Sequence, residues 1–257
     1  MELLIFGTCS GTEPMPNRHH TSFAVRCGDR HYWFDAGEGC AYTAHMMGVD
    51  MLSVSEIFIS HPHMDHVGGL ANLLWTIRKL SVRGKTAPYY GDVTVHMSND
   101  TSFRGTLTVL GETEGNYNNS YRTLFHKITD SVIFENEDIK VEAMHNSHLP
   151  KKNDEWQSFS FRITAGGKRV IFSGDVKSVT ELEPFLREGC DMLLMETGHH
   201  VAEEVCAYIK ESGFDVKSLT FLHHGRRILA DYDGTLARCR EILPEVSIAN
   251  DGDIYKI

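Results

Sequence analysis

Apolar residues along this chain gather in short runs, most of them closed by a polar residue that can bind a metal or move a proton. Ile57-Phe58-Ile59-Ser60, Val170-Ile171-Phe172-Ser173, Met192 to Met195, Leu219 to Leu222 and Val246 to Ala249 are rich in bulky or β-branched side chains, a pattern that predicts buried strands. Other segments keep a helical period. Leu70, Leu73, Leu74 and Ile77 recur at three- and four-residue spacing after Gly68-Gly69, which predicts a helix with one apolar face. Thr180 to Glu183 forms a capping-box pattern ahead of Phe185-Leu186, with Gly189 as the stop. Val201, Val205, Tyr208 and Ile209 line a further helix ending at Ser212-Gly213, and Asp233 is predicted to cap a last one carrying Leu236 and Ile242. The first third reads differently: Leu3 to Phe6, Thr21 to Cys27 and Tyr32 to Asp35 are strand-like, the last two joined as a hairpin at Gly28-Asp29. A β-rich start followed by alternating units predicts an α/β chain with two sheets, each covered by helices.

In such a chain the strand ends present the site. The densest end is His61-Pro62-His63-Met64-Asp65-His66, a tight strand-to-helix loop with three imidazoles and a carboxylate. These are ligands a borderline cation such as Zn²⁺ selects, and a site without thiolate leaves bound water reactive. Later ends add His145-Asn146-Ser147-His148, Gly174-Asp175, Glu196, His223-His224-Gly225 and Asn250-Asp251.

The 257 residues hold no linker, low-complexity block or fixed-period repeat, so 1–257 is read as one domain. No apolar run reaches the roughly 18 residues that cross a bilayer, and Met1 to Phe6 is too short for a secretory signal. The expectation is a soluble, cytoplasmic protein with no membrane partner. Cys9, Cys27, Cys40, Cys190, Cys206 and Cys239 include no Cys-x-x-Cys pair and are expected to be reduced, mostly buried thiols. A net charge of −10 opposes a large nucleic-acid footprint, and the small basic groups such as Lys151-Lys152 and Arg226-Arg227 are expected at the surface.

Taken together, HPHMDH at 61 to 66, the isolated His148, Gly174-Asp175 and His223 in LHHG resemble the metallo-β-lactamase superfamily. FGTCSGTEP at 6 to 14, Arg18, FDAGEG at 34 to 39 and FSGD at 172 to 175 resemble its ribonuclease Z branch. The resemblance implies a four-layer αββα sandwich. It also implies that His61, His63 and His148 hold one metal and Asp65, His66 and His223 a second, with Asp175 bridging. His148 is preferred to His145 because it lies five residues after Ala143 at the strand end, and His223 to His224 because it directly follows the apolar strand. His19, His20, His31, His45, His96 and His126 are expected to be surface or satisfied core residues. Two divalent cations are implied, zinc first, with manganese or iron also suited to N and O ligands. Relatives suggest a homodimer.

Two cations sharing an aspartate acidify a bridging water and neutralise charge on a phosphoryl or acyl oxygen, so the expected nucleophile is a metal-bridging hydroxide. The expected activity is that of a phosphodiesterase of the ribonuclease Z-like group on a small or short substrate. A lactone, β-lactam or thioester hydrolase and a non-catalytic metal-binding scaffold are the alternatives. Ribonuclease Z enzymes carry an arm that grips transfer RNA between the third histidine and the bridging aspartate. Here the interval from His148 to Asp175 holds a loop and two strands, and long nucleic acid is not expected as a substrate. The chain also reads Met195-Glu196-Thr197-Gly198 where relatives have His-Glu-Ala-Thr, and His224-Gly225 where they have Phe-Ser after the last ligand. Asp65 is expected to bind metal and accept a proton from the attacking water. His200, or its neighbour His199, is expected to protonate the leaving group, made a stronger acid by the helix N-terminus that follows. Segment 98–126, with Gly111, Gly115 and Asn116 to Asn119, is read as either a lid over the metals or a surface insertion.

Overall fold

Runs that are apolar at consecutive positions become strands buried on both faces, because each sheet is covered on one side by helices and on the other by its partner sheet. The computed structural model describes residues 1–114 and 117–257. Its first strands are β1 Glu2–Gly7, β2 Ser22–Cys27, β3 Arg30–Phe34, β4 Val54–Phe58, β5 Val93–Met97, β6 Thr123–Lys127 and β7 Ser131–Glu135. They are followed by β8 Lys140–His145, β9 Phe159–Ala165, β10 Lys168–Phe172, β11 Met192–Thr197, β12 Leu219–His224, β13 Val246–Ile248 and β14 Ile254–Lys256. One sheet has the order β14-β1-β2-β3-β4-β5-β6 and the other β13-β12-β11-β10-β9-β8-β7.

The two sheets meet through an aromatic core. Phe34 stacks between Phe23 and Phe58 at centroid distances of 5.0 and 4.9 Å, while Phe161 and Phe172 of the second sheet approach edge-on. Stacked and edge-to-face rings at these separations add to plain burial. Outside the first sheet, the helix Leu70–Gly84 buries Leu70, Leu73, Leu74 and Ile77 against Trp33, Ile57 and Val95. Outside the second, Ala202–Ser212 and Tyr232–Ile242 bury Val205, Cys206, Ile209 and Cys239 on Leu193, Met195 and Phe221. The result is the four-layer αββα sandwich.

Several details differ from the sequence reading. β4 begins at Val54 and ends at Phe58, so Ile59 and Ser60 already belong to the extended approach to the histidine loop. Ser178, not Thr180, caps the turn before Phe185, its side chain accepting from Thr180 N. Asp231, not Asp233, caps the last helix. Segment 98–126, read as a lid or a surface insertion, supplies the helix Asp100–Thr113, which buries Phe103 and Leu110, and most of β6 at the sheet edge. Gly115 and Asn116 of that segment lie outside the described residues. All six cysteines are free thiols, and Cys27 is the half-buried one. Among the described residues no helix is long and apolar enough to cross a membrane.

Strands β4, β5 and β6 also carry a polar chain away from the histidine loop, running from the half-buried Glu56 through the buried His96 to the exposed His126. Glu56 Oε2 lies 2.7 Å from His96 Nε2, and His96 Nδ1 lies 2.9 Å from His126 Nδ1. Burial pushes the Glu56 carboxyl up to about 8 and His96 down to about 3, so Glu56 keeps its proton at neutral pH and donates it to the imidazole. Because the folded value lies above the ordinary 4.5, the folded state holds this proton more tightly than the unfolded chain. The stability this contributes is complete below about pH 4.5 and is lost as pH rises through about 8. Glu56→Gln keeps a donor for His96 but has no proton to lose. Urea unfolding of metal-free protein should therefore show a flatter fall in stability with rising pH for the variant; parallel profiles would contradict the assignment.

Candidate metal centre

The loops after β3, β4, β8, β10 and β11, with the last residues of β12, meet at one end of the sandwich. Ligand atoms of His61, His63, His148 and Asp175 lie within 4.8 Å of one another, as do those of Asp65, His66, Asp175 and His223. All seven residues the sequence singled out as ligands thus come together. Asp175 stands between the two sets. Its Oδ2 is 3.7 Å from both His61 Nε2 and His148 Nε2, and its Oδ1 is 3.3 Å from His66 Nε2 and 3.4 Å from His223 Nε2. His63 Nδ1 completes the first set, 3.0 Å from His61 Nε2 and 3.3 Å from His148 Nε2. Asp65 Oδ2 completes the second, 3.1 Å from His223 Nε2 and 3.6 Å from His66 Nε2. A tetrahedron with metal–ligand bonds of about 2.1 Å has edges of about 3.4 Å, so these spacings suit a cation in each set.

The backbone presets this geometry. Asp175 follows Gly174, whose φ is +54° and whose missing Cβ would stand 2.7 Å from the Phe159 carbonyl. Asp35, at the end of β3 with φ +52°, accepts from Ser60 N at 2.6 Å, Ser60 Oγ at 2.8 Å and His66 Nδ1 at 2.6 Å. Holding Nδ1–H in this way fixes the His66 tautomer and turns the Nε2 lone pair toward Asp175, as carboxylates behind metal-bound histidines do. Asp35 had no assigned role in the sequence reading, although it is a polar residue closing a strand-like run.

The fit to a cation has a second support. His66 Nε2, Asp175 Oδ1 and His223 Nδ1 are buried without a hydrogen-bond partner, and an unpaired buried polar atom costs about 1–3 kcal/mol. A cation would satisfy the first two. Burial alone would lower His223, yet Asp175, Asp65 and Glu196 around it outweigh burial and raise it to about 9. Burial is likewise overcome at His66, which Asp175 and Asp35 raise well above the ordinary imidazole range. The carboxylates therefore demand positive charge at this point. Burial, with the imidazoles of His66 and His148, holds His61 well below the ordinary range, leaving it a neutral lone-pair donor.

Beside the ligands, His199 and His200 separate cleanly. His199 faces the site, its ring 4.9 Å from that of His148, with Nδ1 3.0 Å from Glu196 Oε1. The bond to the fully buried Glu196 raises the His199 imidazole, a correction to the expected helix effect, since the helix begins only at Ala202. His200 does not line the cavity; its Nε2 lies 2.9 Å from the Val176 carbonyl and 3.4 Å from the same Glu196 Oε1. His145 stacks on Trp156 and pairs with Asp130, and His224 is buried in another direction.

Over Asp65, Asp175 and His223 opens a cavity of about 750 Å³, walled by Thr12, His20, His199 and Arg226. His20 was expected at the surface or in the core; it lines the cavity, with Nε2 3.2 Å from the Thr12 carbonyl. Only its fold contact with the loop after β1 brings it there, and no sequence spacing shows that. Arg226 pairs with Glu13 at the rim.

A family model described as Anti-Pycsar protein Apyc1 matches residues 1–236. Ribonuclease Z of Methanothermobacter thermautotrophicus is 24% identical over 307 aligned positions, covering 98% of this chain and 95% of that protein. The alignment is longer than this chain, so the relative carries segments without a counterpart here. Among solved structures, the metallo-β-lactamase fold protein YhfI from Bacillus subtilis superposes with a TM-score of 0.78 at 17% identity, covering 99% of this chain and 98% of the other. Human short-form tRNase Z superposes with 0.73 at 19% identity, covering 100% and 99%. These likenesses establish the metallo-β-lactamase fold.

Replacing Asp35 with Asn leaves His66 free to rotate while changing few atoms. Cation affinity of the variant, measured by competition with a chromogenic chelator, should fall about 10- to 100-fold. Wild-type affinity in Asp35→Asn would show that the aspartate only braces the loop.

Proposed function

The chain belongs to the family of the anti-Pycsar protein Apyc1 and is a metal-dependent hydrolase, and from that premise we propose that it is a binuclear phosphodiesterase acting on a small substrate. The observation that carries the reading is the pair of ligand sets joined by Asp175 at the floor of a cavity into which His199 faces. Bound there, two divalent cations, zinc foremost, would acidify a water near neutral pH and offset charge on the phosphoryl oxygens. Residues 1–257 act in this reading as one domain.

The chain's own groups supply the proton traffic. Asp65 lines the cavity and takes the proton of the attacking water. The phosphorus–oxygen bond to the leaving alcohol breaks as water adds, giving a phosphomonoester and an alkoxide. His199, held through Nδ1 by Glu196, delivers the proton that turns the alkoxide into alcohol. His200, whose Nε2 meets the Val176 carbonyl outside the cavity, has no part in it, which leaves His199 of the two donors the sequence offered.

A small substrate is favoured by three observations. The chain's net charge of −10 suits no extended polyanion. β8 and β9 are adjacent antiparallel strands, and no arm-sized element stands between His148 and Asp175 among the described residues. The cavity volume suits a small molecule.

Protein loaded with zinc or manganese should hydrolyse chromogenic phosphodiesters, lose this on chelation and regain it on metal addition. Turnover confined to lactones or thioesters would overturn the reading. His199→Ala should lower kcat about 10²- to 10⁴-fold for an alkyl leaving group and far less for p-nitrophenolate, which needs no proton. His200→Ala should leave both rates nearly unchanged. Equal losses on the two leaving groups in His199→Ala would remove it as the acid.

A further inference from the structure

His223 reaches the centre from an irregular strand. β12 runs parallel to β11 with Leu222 opposite Glu196, yet His224 stands opposite Thr197, so one residue of β12 is extra. That residue is His223, with φ +54°, a left-handed backbone that a residue with a Cβ adopts only when its surroundings impose it. A bulge of this kind re-aims a side chain beside a site. Without it, His223 would follow the strand alternation and its Nε2 would not stand 3.1 Å from Asp65.

The residue after the bulge is fastened on three sides. His224 is fully buried, and its four polar atoms reach three other segments. Its backbone N–H donates to the Thr8 carbonyl at 2.6 Å, and its carbonyl accepts from Ser10 N at 3.1 Å and Ser10 Oγ at 3.0 Å. In the ring, Nε2 lies 2.9 Å from the Ala249 carbonyl, which can only accept, so Nε2 carries the hydrogen. In a neutral ring Nδ1 then accepts, and the Thr197 hydroxyl lies 3.2 Å away, its one hydrogen shared with the Leu222 carbonyl at 3.3 Å. Ala249 O also receives Arg18 Nη1, which bonds Thr8 Oγ1 at 2.7 Å, while Arg18 Nη2 bonds Asn250 Oδ1 at 2.8 Å. Thr8 Oγ1 in turn donates to Asp251 Oδ1 at 2.6 Å, and Asp251 Oδ2 accepts from His19 N at 2.6 Å. Cys9 bridges to His20 on one side and to His224 on the other, so this network is the seam between the two sheets.

We propose that His224 is a positioning residue: by tying β12 to the loop after β1 and to the end of β13, it holds the bulge that aims His223 into the Asp65, His66 and Asp175 ligand set. The proposal rests on the binuclear reading above. Relatives with phenylalanine after the last ligand lack these two ring bonds, so the imidazole at 224 is this chain's own means of holding the bulge. Burial makes the bonds hard to replace with water, so losing them lets the bulge relax toward regular pairing.

The test compares wild type with His224→Phe, which fills the ring volume without its hydrogen bonds, and Thr197→Val, which removes one bond in a milder way. His224→Gln serves as the rescue, since its amide can both donate and accept. Cobalt(II) titration followed by absorption should give two equivalents for wild type. In His224→Phe the first equivalent should keep its affinity, while the second weakens about 10- to 100-fold with an altered ligand-field spectrum. Thr197→Val and His224→Gln should fall between. Amide hydrogen exchange of the metal-free proteins should show Ser10 and His224 losing protection in His224→Phe. Two equivalents with wild-type affinity and spectrum in His224→Phe would overturn the proposal. If His224→Phe does not fold, wild-type affinity and spectrum in Thr197→Val would do so. Wild type that binds no cation would sink the binuclear reading, and exchange at Ser10 and His224 would still decide whether the imidazole locks the seam.

Discussion

Buried negative charge is the constraint around which this end of the molecule is organised. Asp35, Asp175 and Glu196 are almost wholly buried and Asp65 nearly so, all within a few residues' reach of one another. Carboxylates taken out of water need paired positive charge or several donors each. The chain answers with imidazoles, main-chain amides and serine hydroxyls: Asp35 takes three donors, Glu196 takes His199 through both backbone and ring, and Asp175 faces five histidines. The ionised state of Glu196, which burial opposes, is held by His199 and His223. A cation in each ligand set would complete this arrangement, which makes the same residues both a structural problem and a chemical tool.

The two sheets make that concentration affordable. Each strand that ends at the centre is anchored by apolar side chains on both faces, so the polar termini project from a rigid base. Glu196 is the next-to-last residue of β11, directly after Met195, and Asp35 follows Phe34 at the end of β3. The stacked rings of Phe23, Phe34 and Phe58 thus stand directly behind the loops that carry Asp35 and His61.

Much of this was legible in the residues because strand ends and metal-binding spacings are local signals. The runs at 170–173, 192–195 and 219–222 announce themselves by continuous apolar character, and the histidine loop by composition. What was not legible depends on contacts far apart in sequence. His20 enters the cavity through the seam after β1, and His199 differs from His200 only in which neighbour its ring meets. The helix Asp100–Thr113 was hidden because threonines and glycines interrupt its apolar face, while packing of Phe103 and Leu110 secures it. The capping residues Ser178 and Asp231 each lay two positions from the expected ones, since either of two polar side chains satisfies the same local pattern.

Asp35, Gly174 and His223 all hold left-handed backbone at the centre. Because loops bent in this way are fixed by the sandwich behind them, little of the free energy of ion capture is spent on ordering the chain. A cage offering nitrogen and oxygen but no sulfur accepts several first-row divalent ions, so availability shares with affinity in choosing among them. Its tenant would then be set by the protein's preference together with which metal the surroundings keep in supply.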